Sequence, residues 1–189
     1  MTHNVATTAN LDEQKYLDLV NRVITSGQKR GDRTGTGTLS IFAPPQLRFR
    51  IDEYFPLITT KKTFFRGVAE ELFWFLKGST DIKELQEKKI KIWDGNASRE
   101  FLDKRGLSQY KEGELGPVYG FQWRHFGADY LGSDVNYENK GVDQIKEIIN
   151  TIKTNPMDRR MILTAWNPSD LHKMALPPCH LMCQYFIFI

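Results

Sequence analysis

Near its end the chain reads "MALPPCHLMCQ", with a cysteine between two prolines and a histidine. Pro177 and Pro178 fix φ and remove two backbone donors, so the chain enters Cys179 rigidly. A thiolate is the strongest nucleophile among the side chains once cationic neighbours or hydrogen bonds lower its pKa. His180 is adjacent, but successive residues of a strand point to opposite faces, so it is not automatically the base for Cys179. From these facts alone a buried, inert cysteine is the plainer reading. Cys183 fits that reading better still, since nothing rigidifies or polarises it.

Other groups offer charge and proton transfer. In "RGDRTGTGT" closely spaced glycines let backbone N–H groups approach an oxyanion, and Arg33 adds a bidentate fork for phosphate. No GK[ST] follows, and no strand–helix context surrounds it, so neither a Walker loop nor a dinucleotide fingerprint is present. A plain turn is the better reading of that pattern. Arg159 and Arg160 open the stretch "RRMILTAW"; two guanidiniums there suit phosphate, and a solvated charged edge suits them equally. In "EELFWF" Glu70 and Glu71 differ by about 100° around a helix, so one can face a cavity while the other faces solvent. A carboxyl in an apolar pocket has a raised pKa and can relay protons near neutrality. Trp93, Asp94, Asn96, Tyr119, Trp123 and His125 offer stacking faces and hydrogen-bond groups, yet as isolated aromatics the rings read as core.

These groups need elements to position them. "LDEQKYLDLVNRVITSG" predicts a helix with Tyr16, Leu17, Val20, Val23 and Ile24 on one stripe and Gly27 past its end. The glycine loop runs into a strand, and "LSIFAPPQLRFRI" predicts two strands interrupted at Pro44-Pro45. "FRGVAEELFWFLKGST" predicts an apolar helix stopped at Gly78, after which Ser79 or Thr80 caps a short helix over "DIKELQEKK". Residues 103–117 read as loop. Ile145, Ile148, Ile149 and Ile152 make "VDQIKEIINTIKTNP" an amphipathic helix closed by Pro156. "RRMILTAW" and "HLMCQYFIFI" predict strands. Helices and strands alternate irregularly, so the fold class is α+β, a mixed β-sheet covered by helices. Residues 1–10 read as a flexible lead and 11–189 as one domain.

Composition fits a globular protein of 189 residues: 40% hydrophobic, 26% charged, 12% aromatic, net charge +3. That small excess weakly favours anionic ligands and does not argue for a nucleic-acid coat. With 2 cysteines there is no disulfide framework. No Cys/His set has zinc spacing, so no metal is expected. Reduced thiols point to a cytoplasmic protein, with nucleus and mitochondrion left open. The polar start lacks the apolar core of a secretory signal. No apolar run approaches the ~18 residues of a membrane span.

The blocks "DRTGTGT", "FPLITTKK", "EELFWFLKGST", "KIWDGN", "LGPVYGFQWRHFG", "GVDQ", "DRRMILTAWNP" and "MALPPCH", in that order, resemble thymidylate synthase from about residue 12 to 185. The "QWRHFGADY" stretch sits closest to the monofunctional eukaryotic members. The resemblance implies conversion of dUMP to dTMP, with 5,10-methylenetetrahydrofolate as one-carbon donor and reductant. It makes Cys179 the nucleophile that adds to uracil C6, Glu71 the proton-relaying carboxylate and Tyr119 the active-site tyrosine. It assigns Arg33 to the dUMP phosphate, and Arg159 and Arg160 to the phosphate of the partner's site across a homodimer interface. His180 falls on the substrate side with its role open, and Trp93, Asn96 and neighbouring Asp94 fall on the folate side. Family members continue well past the cysteine strand, so the resemblance implies a truncated chain with the C-terminal part missing. Two alternatives stand beside the synthase: a pyrimidine-nucleotide hydroxymethylase, and a non-catalytic isoform that pairs with full-length subunits.

Overall fold

The structure, a computed structural model, describes residues 10–32, 35–52 and 55–188. The chain divides into two compact units, residues 1–63 and 64–189.

The first unit opens with α1 (Leu11–Ser26). Asn10 caps it by accepting the Glu13 N–H at 3.2 Å. Tyr16, Leu17, Val20 and Val23 are half-buried as the stripe predicts, but Ile24 is exposed. Beyond Gly27, β1 (Gln28–Arg30) pairs antiparallel with β2 (Thr38–Ser40). The glycine loop is therefore the turn of a hairpin, because Gln28-Lys29-Arg30 supply the second strand. Arg33 lies outside the described residues, as does most of the polar lead. The strand expected over "QLRFRI" does not form among the described residues. Pro44 and Pro45 remove two donors just before it, which disfavours a ladder. Among the described residues up to Thr63, none is buried.

The second unit holds the core. α2 (Phe65–Leu76) ends before Gly78, as its sequence predicts. α3 (Lys83–Glu87) is entered differently from expectation: Asp81 Oδ1 accepts the Lys83 N–H at 2.8 Å. Ser79 instead donates to Glu84 at 2.6 Å, and the Thr80 hydroxyl meets Tyr130 Oη at 2.9 Å. α4 (Arg99–Lys104) is capped by Ser98 and α6 (Gln144–Thr154) by Asp143. Between them lies α5 (Tyr119–His125), which periodicity did not announce, since a helix buried along most of its length shows no polar face. β3 (Ile162–Thr164) pairs antiparallel with β4 (Met182–Gln184), Leu163 opposite Cys183. The class is α+β, and its named strands form 2-stranded antiparallel ribbons. α5 packs on α2, α6 and β3 around Trp74, Phe75, Leu85, Leu115, Met161 and Met174.

Candidate active site

The segment leading to Cys179 is fastened before it arrives. Its backbone crosses Gly116 so closely that a Cβ there would stand 2.2 Å from the Lys173 carbonyl oxygen. The Ala175 N–H donates to Leu115 O at 2.9 Å, and Tyr110 Oη donates to Lys173 O at 3.0 Å. Burial and the nearby Glu114 carboxylate push the Tyr110 hydroxyl up to about 12, so it stays a donor at neutral pH. Pro177 and a buried Pro178 then lead into the cysteine.

There α5 takes hold. Tyr119 Oη accepts the N–H of Cys179 at 2.5 Å and of His180 at 3.0 Å, across 60 residues of sequence. With two N–H groups received, the phenol proton is left to donate elsewhere. The ring is wedged against Phe75, with centroids 4.6 Å apart, and against His180 at 5.5 Å. Burial raises the Tyr119 pKa; the two N–H donors oppose that, and Cys179 and Glu71 add to it. The Cys179 thiol itself is exposed, contrary to the plainer expectation of a buried cysteine. Cys183 is exposed on β4 as well, because the partner β3 covers only its edge.

On α2 the adjacent carboxylates part company. Glu70 meets Lys88 Nζ at 2.6 Å, and that hydrogen bond lowers its pKa. Glu71 is half-buried and accepts Trp93 Nε1–H at 2.7 Å. Burial raises its pKa, against the weaker opposing pull of Trp93 and His180. A carboxyl so displaced can hold a proton and give it up near a bound ligand. Trp93 is buried against Trp74 and Phe75, so only its N–H end takes part. The turn Asp94–Asn96 that follows is partly exposed, with Asp94 accepting from Gln86 at 3.1 Å.

Arg159 and Arg160 sit in the turn just before β3 rather than in it, both exposed. The Arg160 N–H donates to Asp158 at 2.7 Å, and Arg159 O accepts from Gln184 at 3.3 Å. Among the described residues no ion pair engages either guanidinium, and no hydrogen bond joins them to Cys179. The structure thus gathers Cys179, His180, Tyr119, Glu71 and Trp93 in one connected set, with Asp94 and Asn96 on the adjoining turn. It leaves the two arginines apart from that set.

Sequence reasoning passed over the buried polar residues behind the site. Gln122, Asn167 and Asp170 are buried and joined: Gln122 Nε2 donates to Asp170 at 2.8 Å, and Asn167 Nδ2 donates to both Gln122 Oε1 and Asp170. The available signal was a lone amide inside an aromatic block, "GFQWRHF", since an interior amide needs partners.

An exposed cysteine whose backbone is gripped by a buried tyrosine, with a half-buried carboxyl of raised pKa acting on that tyrosine, is an arrangement able to support thiol chemistry with proton transfer. A model of the thymidylate synthase family matches residues 14–188, and the chain belongs to that family. It is 60% identical over 179 residues to the thymidylate synthase of Candida albicans, covering 94% of this chain and 57% of that protein. Against the thymidylate synthase of Saccharomyces cerevisiae the identity is 60%, covering 94% of this chain and 59% of the relative. The bifunctional dihydrofolate reductase-thymidylate synthase of Leishmania major is 59% identical over 94% of this chain and 34% of its own length. The chain thus spans well under two thirds of these relatives. Among the described residues no group of three or more His, Cys, Asp or Glu side chains gathers to hold a metal ion. No described helix is long and apolar enough to cross a membrane.

Proposed function

We propose that this chain supplies the nucleophile-bearing part of a thymidylate synthase, which methylates dUMP to dTMP. The observation that carries the reading is the Tyr119 hydroxyl holding the Cys179 and His180 amides, so that the thiol is presented on a fixed backbone. Addition of the Cys179 sulfur to uracil C6 makes C5 a carbon nucleophile, and expulsion of the thiolate later restores the ring double bond. Glu71 holds and returns protons at the edge of the site, and Tyr119 donates its free proton toward the ligand. Fixed placement of thiol and ring counts heavily, because well-oriented partners avoid much of the entropic cost of meeting.

5,10-Methylenetetrahydrofolate supplies the one-carbon unit and the hydride. The residues fit such a co-substrate: Glu71 and the partly exposed Asp94–Asn96 turn offer polar groups for a heterocycle beside the buried Trp93. Arg33 belongs to the substrate phosphate. Arg159 and Arg160, exposed and without ion pairs among the described residues, are suited to a phosphate in a partner subunit's site, which makes the working unit a homodimer. His180 lies on the substrate side. The protein works in the cytoplasm.

The test transplants residues 14–188 in place of the matching stretch of the Saccharomyces cerevisiae relative. The chimera is expected to form dTMP and to trap 5-fluoro-dUMP with the folate on Cys179, located by peptide mapping. Cys179→Ser should abolish both, while Cys183→Ser stays within about twofold, as expected of a residue outside the chemistry. A folded chimera without dTMP formation, or an adduct on Cys183, overturns the reading.

A further inference from the structure

α5 carries two buried polar side chains one turn apart. Tyr119 grips the chain at Cys179 and His180. Gln122, with 0% exposure, grips the same segment where it begins. Both Gln122 Nε2 protons are used, one to Pro117 O at 3.1 Å and one to Asp170 Oδ2 at 2.8 Å. Its Oε1 accepts from Asn167 at 3.2 Å. Asp170 closes the turn on itself: Oδ2 also accepts from Asn167 at 3.1 Å, and Oδ1 meets Lys173 Nζ at 2.9 Å. The 3-10 turn Leu171–Lys173 follows and delivers the chain to Pro177.

The same helix is braced from its other side. Gln144 Nε2 donates to Gln122 O at 2.7 Å and to Thr164 O at 2.8 Å, and its Oε1 accepts the Thr164 N–H at 3.0 Å. Thr164 Oγ1 in turn donates to Leu181 O at 2.8 Å, two residues beyond the cysteine. A closed set of hydrogen bonds therefore surrounds the stretch from Asn167 to Leu181. An interior amide is costly unless fully paired, and an apolar side chain would fill the same volume. What Gln122 adds is direction: a fixed point from which the segment is measured out.

We propose that Gln122 is a positioning residue for the nucleophile: by docking the 167–173 turn on α5, it sets the register at which the Cys179 and His180 amides reach Tyr119 Oη. The proposal rests on the reading of Cys179 as the nucleophile, yet its decisive test needs no substrate. Amide-resolved hydrogen exchange is measured on this chain, on Gln122→Met, on Tyr119→Phe and on the double variant. Gln122→Met is expected to speed exchange at Cys179 and His180 about tenfold, the equivalent of roughly one lost hydrogen bond. The amides of β3 and β4 should hold their wild-type rates, which a general loosening would not allow. In the Tyr119→Phe background Gln122→Met should add nothing, because its effect runs through that contact. Asp170→Asn alone, which keeps an oxygen for Gln122 and Asn167, should hold both amides near their wild-type rates. If Gln122→Met fails to fold, Gln122→Asn repeats the test, keeping the amide but drawing it back by one methylene. Unchanged exchange at both amides, no protection of them in the wild-type chain, or additive effects in the double variant would overturn the proposal. Trapping by 5-fluoro-dUMP addresses the thymidylate synthase reading alone, so either can fail without the other.

Discussion

Two antiparallel ribbons of the same length behave very differently here. β1–β2 is closed by a short glycine loop, and its residues are exposed except for a half-buried Ser40. β3–β4 brings together strands separated by the whole 165–181 segment, and Leu163 in it is only 3% exposed. The first ribbon forms because turn and strands are neighbours in sequence. The second forms because α5 and α6 pack on β3 and bury its inner face. Local closure thus makes a strand pair without making a core, and Cys179 lies three residues before β4, in the ribbon that has a core behind it.

Glycine substitutions sharpen this contrast most. Gly116 and Gly35 share the left-handed conformation, with φ of +75° and +79°. At Gly116 a Cβ would also strike the Lys173 carbonyl at 2.2 Å, whereas at Gly35 it meets no atom of the described residues within 4 Å. Gly116→Ala is expected to cost about 4 kcal/mol or more, combining backbone strain with overpacking. Gly35→Ala should cost about 1 kcal/mol, the strain alone. Urea unfolding read by far-ultraviolet circular dichroism, which sees the helix of the first unit as well as those of the second, checks both, and equal losses would break the comparison.

Next come the leucines of the two ribbons. Leu163→Ala empties a buried position and should cost about 3 kcal/mol. Leu39→Ala, at a residue 46% exposed, should stay within about 0.5 kcal/mol. A large loss at Leu39 in the same unfolding experiment would show that the first ribbon has a core of its own.

The smallest expected effects lie in pH dependence, and they have opposite signs. Glu71, in the second unit, has a pKa raised from the ordinary 4.5, chiefly by burial. Its folded state binds the proton more tightly, so its contribution to stability is fully present below 4.5 and is lost as pH rises through the higher folded value. Glu13, in the first unit, has a lowered pKa, chiefly because the Thr59 hydroxyl donates to it, with the Thr60 N–H helping. Its contribution is present above 4.5 and is lost as pH falls through the lower folded value. Stability measured from pH 3 to 8 should therefore show Glu71→Gln gaining on the wild type as pH rises. Glu13→Gln should draw level with it as pH falls. The same slope for both would mean that burial does not separate these carboxylates.

The amino-acid sequence by itself determined the elements whose signals are local. The α6 stripe of Ile145, Ile148 and Ile152, though not exposed Ile149, the apolar run of α2 stopped before Gly78, and the α1 stripe up to Val23 with Gly27 after the helix reappear at their places. The rigid Pro-Pro entry to Cys179 and the divergence of Glu70 from Glu71 were legible too, since proline geometry and helical rotation act within a few residues. The order of the motif blocks carried the family. What only the tertiary structure decided concerns groups far apart in the chain. "QLRFRI" has strand composition, yet no strand forms there among the described residues, since composition without a neighbouring strand does not make one. Cys183 reads as buried, yet β4 gains only an edge partner and leaves its side chain exposed. α5 shows no period because its surroundings bury it nearly all round, and its length brings both Tyr119 and Gln122 onto one segment. The grip on Cys179 spans 60 residues, and no local propensity encodes a hydrogen bond at that separation. It exists because packing α5 against α2, α6 and β3 fixes where the phenol ends, and the chain that reaches it must be measured to fit.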